Sequence, residues 1–406
     1  MNVSNFTAES PDPALENHQP LGGAIVTKPF MILGLFVLIG GYFILRRFLF
    51  GMGDVSHMSN GFPIGTWVVL DVVIGTAFGC GGFAMALLVY ILNRNVYHPL
   101  IRPALLGGVF GYTLAGLAVM IDLGRYWNAF NLLLPWYAQI NSVIFEVALC
   151  VMAYVTVLWI EFWPAFLERM PPAFKKRFNL HKMQIFLRRY MYVFIALGVL
   201  LPTMHQSSLG SVLLIMGSKL SPLWYTTWLP LLFLISALAM GYGVVMLEST
   251  LVQRAFKLPS EAALLIRLSR VGAGLLTLFL VVRIGDLLAR GQLGLAFAFD
   301  RYSILFLIET TLFAAPILVF ASKRRCANSR LRFLATISLL AAGSLYRMNG
   351  YLLAINPGNG WTYFPSAPEL LITVGVVCLE IMLYLIFIKT LPVLPGRIAE
   401  VAGRPS

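Results

Sequence analysis

The chain has 406 residues, of which 59% are hydrophobic and 12% charged, and its mean hydropathy is +0.82. A soluble domain carries about twice that share of charge, so the composition excludes one and describes an all-α polytopic membrane protein whose core is the bilayer span. Thirty Lys and Arg against 17 Asp and Glu give a formal charge of +13, but the basic residues fall in short loops between apolar runs. That pattern sets membrane topology and argues against a nucleic-acid partner.

The chain opens with a polar, slightly acidic tail, residues 1–28, that lacks a basic region ahead of a short apolar core, so no signal peptide is expected to be removed. Runs near the roughly 20-residue spanning length follow at 29–50, 66–92, 103–122, 139–162, 190–216, 226–249, 268–289, 302–322, 331–354 and 367–391, and these predict ten helices. The connection after the fourth carries Arg169, Lys175, Lys176, Arg177, Lys182, Arg188 and Arg189. The one after the sixth carries Arg254, Lys257, Arg267 and Arg270, and the one after the eighth carries Lys323, Arg324, Arg325, Arg330 and Arg332. These loops, and with ten spans both termini, are expected on the cytoplasmic side of a bacterial inner membrane. Arg46 and Arg47, at the outer end of the first helix, run against the trend.

Acids inside apolar runs are costly and mark function by default. On this orientation Asp71, Asp122, Arg125, Glu146 and His205 approach one depth near the outer surface, Glu146 about two turns inside the fourth helix and His205 closing the fifth. Asp122 and Arg125 serve either as a proton path or as a structural pair at helical spacing. Glu146 has no partner within its own turn, and a carboxylate buried there is expected to be held protonated by desolvation and able to relay protons. Pro202 and the polar residues around His205 interrupt the fifth helix, which requires protein or a water-filled cavity to satisfy the backbone.

The second half echoes the first. Arg283 and Asp286 end the seventh helix as Asp122 and Arg125 end the third, Glu309 follows Tyr302 as Glu146 follows Asn141, and Arg347 falls near the place of His205. The chain therefore reads as two duplicated four-helix bundles, 66–217 and 226–354, with one flanking helix at each end, 29–50 and 367–391, and a cytoplasmic tail at 392–406. The first bundle is read as the half that holds the reactive site. The roles of Asp286, Glu309 and Glu380 are left open.

Cys80, Cys150, Cys326 and Cys378 are isolated, so no iron–sulfur cluster or zinc is expected in the chain. His205 alone lies near a span's outer end, while His98 and His181 are on the cytoplasmic side, His18 in the tail and His57 in an outer loop, so no haem is expected either. A quinone is the better match, because it needs an apolar slot with a few polar groups and proton donors. The candidate pocket comprises His205, Tyr126, Trp127, Asn141 and Gln206.

Seven motifs carry a likeness to a family: Gln19 to Gly23, Gly61 to Trp67, Gly75 to Gly82, Tyr97 to Leu106, Asp122 to Asn128, Asn141 to Glu146 and Leu201 to Ser208. Together they resemble the HybB-type membrane subunit of bacterial nickel–iron hydrogenases, within the NrfD/PsrC superfamily, nearly from the tail to the last helix. The resemblance implies a subunit that does not oxidise hydrogen alone. It would anchor periplasmic large and small hydrogenase subunits and a four-cluster ferredoxin-like protein, and pass their electrons to menaquinone or another quinone at its outer face. Glu146 matches the acid of the family's NSVxFE motif, associated with quinone-linked proton transfer. A quinone-linked subunit of another NrfD-type oxidoreductase, a passive lipid-embedded anchor and a transporter are the alternatives. The docking face is expected over 51–66, 124–137, 218–225 and 356–365, where Trp127, Trp136, Trp224 and Trp361 lie.

Overall fold

The computed structural model describes residues 18–171, 175, 180–258 and 261–395. The tail through residue 17, the loop residues Lys176 and Arg177, and the chain from 396 onward lie outside the described residues. Backbone polar groups in hydrocarbon have only one another to bond, so each apolar run closes into a helix. The helices are α1 (Lys28–Phe50), α2 (Thr66–Ile91), α3 (Asn95–Asp122), α4 (Val143–Arg169), α5 (Leu180–Met216), α6 (Leu229–Phe256), α7 (Ala262–Ala289), α8 (Arg301–Phe320), α9 (Ser329–Met348) and α10 (Ala367–Thr390). Among the described residues nine of them, all but α9, are long and apolar enough to cross a membrane. α9 occupies the expected ninth span, but Arg330, Arg332 and Arg347 lower its hydropathy, and Arg332 and Arg347 are buried against protein acceptors.

Two boundaries differ from expectation in ways that move the candidate residues. α4 starts at Val143 because the Ser142 hydroxyl caps it, accepting from the Phe145 N–H at 3.4 Å. Glu146 is therefore in the first turn and half-buried, not two turns inside. α5 runs 37 residues from Leu180 because its polar opening turns still form helix, and His205 sits about 16 Å short of its end at Met216 instead of closing it.

Helices α2 to α5 pack in sequence, as do α6 to α9, with α9 returning to α6 to close the second group. α6 lies between the groups, against α5 and α2. α1 and α10 pack on each other, and α10 also rests on α3. The α1–α10 crossing depends on glycine: a Cβ on Gly40 would stand 2.9 Å from the Gly375 Cα, and one on Gly375 would stand 2.9 Å from the Gly40 Cα. The basic loops gather at one end, called here the basic-loop side. There β1 (His18–Gln19) pairs antiparallel with β2 (Leu394–Pro395).

The dissenting charges at the far side are explained by partners. Arg46 pairs with Asp54 at 2.7 Å. Arg47 is buried and donates to the Ile121 and Leu123 carbonyls, which the end of α3 leaves without helical partners. Neither behaves as a free loop charge.

Candidate functional site

A polar lattice crosses the seam between the two bundles. His205 is fully buried on α5, and its Nε2 lies 3.2 Å from the Thr76 hydroxyl of α2. Gln206 donates to Thr76 at 3.1 Å and to the Tyr112 hydroxyl of α3 at 3.3 Å, and its side-chain oxygen accepts from Arg347 at 2.8 Å. Arg347 also donates to the Ser236 hydroxyl at 3.1 Å and the Phe233 carbonyl at 3.2 Å, both on α6. Cys80 lies 3.4 Å from the Tyr112 hydroxyl. Burial of so many polar groups is tolerable because nearly all are bonded to one another.

The second bundle holds its own sealed cluster. Glu309 forms an ion pair with Arg283 and accepts from Trp224 Nε1 at 2.9 Å and Asn349 Nδ2 at 2.6 Å. Asn349 opens a π-helical turn, Asn349–Leu353, that follows directly on α9. Asp286 in the last turn of α7 pairs at 2.7 Å with Arg290, the residue that caps that helix.

The expected constellation is only partly assembled. His205 Nδ1 has no full hydrogen bond, and the ring faces the Val147 backbone of α4, one residue from Glu146. The Glu146 carboxylate makes no hydrogen bond or ion pair with the described residues. Asp122 and Arg125 do not pair: Asp122 accepts from Trp67 Nε1 at 2.8 Å, while Arg125 lies past the helix end and is exposed. Asp71 sits in a π-helical stretch, Val69–Ile74, with one oxygen 3.3 Å from the Thr373 hydroxyl and the other without a partner.

The five residues read as one pocket do not line one. Gln206 joins His205 in the seam. Tyr126 packs on Phe48, with ring centroids 4.8 Å apart, and under the Arg47 guanidinium; Trp127 and Asn141 are exposed on the far side. Loop residues follow the local course of the chain, which helical spacing does not specify. Sequence reading also passed over Glu161, Glu248, Thr76 and Tyr112. The two glutamates lie inside apolar helices exactly as Glu146 was expected to, and the rule applied to it would have found them.

Two groups of four helices joined by a buried polar seam, with a helix pair on one flank, define an all-α polytopic membrane protein. Residues 54–388 match the family described as polysulphide reductase, NrfD, and the chain belongs to that family. It is 44% identical, over 93% of its length and 95% of the relative's, to an Escherichia coli (strain K12) protein named "Probable Ni/Fe-hydrogenase 2 b-type cytochrome subunit". It is 29% identical to the "Menaquinone reductase, integral membrane subunit" of Nitratidesulfovibrio vulgaris, over 55% of this chain and 54% of that one. The chain is thus a HybB-type membrane subunit of the NrfD family.

One expectation is overturned by these relatives. The Escherichia coli protein is named a b-type cytochrome subunit, which points to haem, so the reading of this chain as free of haem is withdrawn. Among the described histidines His205 alone is fully buried, and its Nδ1, without a hydrogen-bond partner, is the ring nitrogen that would hold such a group, which would supply one-electron chemistry there. His57 bonds the Phe364 carbonyl at 3.1 Å, and His98 and His181 are exposed at the basic-loop side. Among the described residues no group of three His, Cys, Asp or Glu is placed to hold a metal ion, and all four cysteines are buried singly.

Proposed function

We propose that this chain is the quinone-reactive membrane subunit of a hydrogen:quinone oxidoreductase, receiving electrons on the far side from an iron–sulfur partner and delivering them to menaquinone. The end-to-end likeness to the hydrogenase 2 subunit carries this reading, and the menaquinone reductase subunit supports the choice of acceptor. The hydrogenase large and small subunits and a ferredoxin-like protein are the partners so implied, with the basic loops facing the cytoplasm of a bacterial cell.

In this reading the first turns of α4 meet α5 at the reactive site. A quinone takes up one proton with each electron, and a carboxylate without competing partners is suited to supply it. Glu146 has that freedom, and its place in the first turn of α4 lets it exchange protons with the water-facing loop above. His205 packs against the backbone of Val147, the residue after Glu146 on α4, and its Nε2 is held by Thr76. Gln206 and Arg347 fix the helix bearing that imidazole and act as positioning residues.

Hydrogen-driven reduction of a menaquinone analogue by the intact complex, compared with the complex lacking this chain, tests the reading. Quinone reduction that requires the chain is the expected result. Equal rates with and without it would reduce the chain to an anchor.

A further inference from the structure

At the basic-loop side, arginines from both halves of the chain surround one tyrosine. Asn93 takes a left-handed φ of 54°, a conformation asparagine tolerates, and this turn sets Arg94 between α2 and α3. Tyr97, in the first turn of α3, has a buried ring, and its hydroxyl makes no hydrogen bond with the described residues. Arg267, Arg94 and Arg270 all lie within electrostatic reach of that hydroxyl. Arg267 and Arg270 belong to α7, which packs on α6 and α8 in the second group. Among the described residues no carboxylate acts on Tyr97 beside them. Glu261, which precedes α7, is occupied by Ser249 at 2.6 Å and Gln253 at 3.0 Å.

Arg267 and Arg270 also head a stripe on the exposed face of α7. Gly274, Leu278 and Val281 follow Arg270 at steps of four, four and three residues, the spacing of one helical face. All are exposed, Leu278 by 48% and Val281 by 63%. A Cβ on Gly274 would meet no atom within 4 Å, so the stripe is indented there. From Arg270 to Val281 the helix rises about 16 Å, roughly half of a 30 Å hydrocarbon core. A cationic head at the membrane surface and an apolar face as deep as one leaflet match the shape and charge of a phospholipid. Membrane topology asks only for basic residues in these loops, as Arg324 and Arg330 supply. It does not ask for three around one hydroxyl at the head of an indented stripe.

We propose that Arg94, Tyr97, Arg267 and Arg270 bind the phosphate of an anionic phospholipid in the basic-loop leaflet, with an acyl chain along Gly274, Leu278 and Val281. The guanidiniums donate charge-assisted hydrogen bonds to the phosphate oxygens, and the Tyr97 hydroxyl donates one more. The bound lipid ties the α2–α3 connection of the first group to α7 of the second. The site stands apart from Glu146 and does not depend on the acceptor being a quinone.

The test uses the intact complex in phosphatidylcholine nanodiscs containing a small share of phosphatidylglycerol with a photoactivatable group on its acyl chain, and maps the adducts by peptide. The expected result is labelling of the α7 segment from Arg270 to Val281, competed by unlabelled phosphatidylglycerol and not by inorganic phosphate. Each arginine near the surface favours anionic lipid about fivefold, so Arg94→Gln and Arg270→Gln should each reduce labelling by that factor. Arg324→Gln, outside the cluster, should leave it unchanged. Gly274→Leu keeps every charge and enters open space, so the fold is retained while the seat of the chain is filled, and labelling of the segment should be lost. Equal labelling by a phosphatidylcholine probe would overturn the site as general lipid contact, and displacement by inorganic phosphate would make it a free-phosphate site. Labelling unchanged in both arginine variants would also overturn it, as would labelling of the isolated chain that vanishes in the complex, which would place a protein partner on this face.

Discussion

Arg347 on α9 donates to the side-chain oxygen of Gln206 on α5 at 2.8 Å, so a guanidinium from the second bundle holds the residue next to His205 in the first. The same guanidinium bonds Ser236 and the Phe233 carbonyl of α6. Arg347→Leu keeps the bulk and leaves three buried acceptors without their donor. Each such loss costs roughly 1–3 kcal/mol, so the purified variant should unfold well below the wild-type temperature in detergent. An unchanged melting temperature would show that Arg347 does not join the bundles.

Glu309 and Glu146 should respond oppositely to the same change. Glu309 is held by Arg283, Trp224 and Asn349 in a sealed site, and removing the charge leaves Arg283 buried without its counter-ion. Breaking a buried pair costs about 3–5 kcal/mol. Glu309→Gln should therefore lower thermal stability with little effect on quinone reduction per folded complex. Full stability in this variant would contradict the structural assignment.

The α1–α10 crossing is tested at Gly40, where an added methyl meets the backbone of Gly375 and the Leu371 carbonyl at 3.1 Å. Overpacking of this kind costs about 1–3 kcal/mol. Gly40→Ala should loosen α1 and lower the melting temperature, whereas Gly41→Ala, with no atom within 4 Å of the new Cβ, should not. Equal effects at both positions would remove the argument from close approach.

Tyr363, outside the spans, has its hydroxyl pushed up from 10.0 to about 12 by burial, with the hydrogen bond to Glu369 adding to the shift. The folded protein thus holds a proton there that the unfolded chain releases. The stabilisation is complete below about pH 10 and is lost as pH rises through about 12. Melting temperature should fall between these values more steeply in the wild type than in Tyr363→Phe. Parallel curves would show that the hydroxyl is not so held.

Most of the architecture was legible because the apolar runs of this chain have the length a bilayer demands. The site was less so, and the reasons are local. Gln139, Asn141 and Ser142 stand within an apolar run, and only the Ser142 cap reveals that α4 begins after them, which moves Glu146 to the first turn. The partners of Asp122 and Arg47 come from distant elements, Trp67 and the carbonyls closing α3. No spacing within their own helices predicts those contacts. Arg347 was noticed as an echo of His205, but its bond to Gln206 is a tertiary event between bundles.

The most direct measurement of the central claim is made on Glu146→Gln in the assembled complex, which keeps size and hydrogen-bonding capacity but removes the titratable proton. Hydrogen oxidation with a soluble dye and hydrogen-to-menaquinone electron transfer are assayed in parallel. Loss of a general acid typically costs about 100-fold or more. We expect dye reduction to continue at the wild-type rate while quinone reduction falls by that order. Wild-type quinone reduction by the assembled variant would contradict the account of Glu146 as the proton donor at the quinone site.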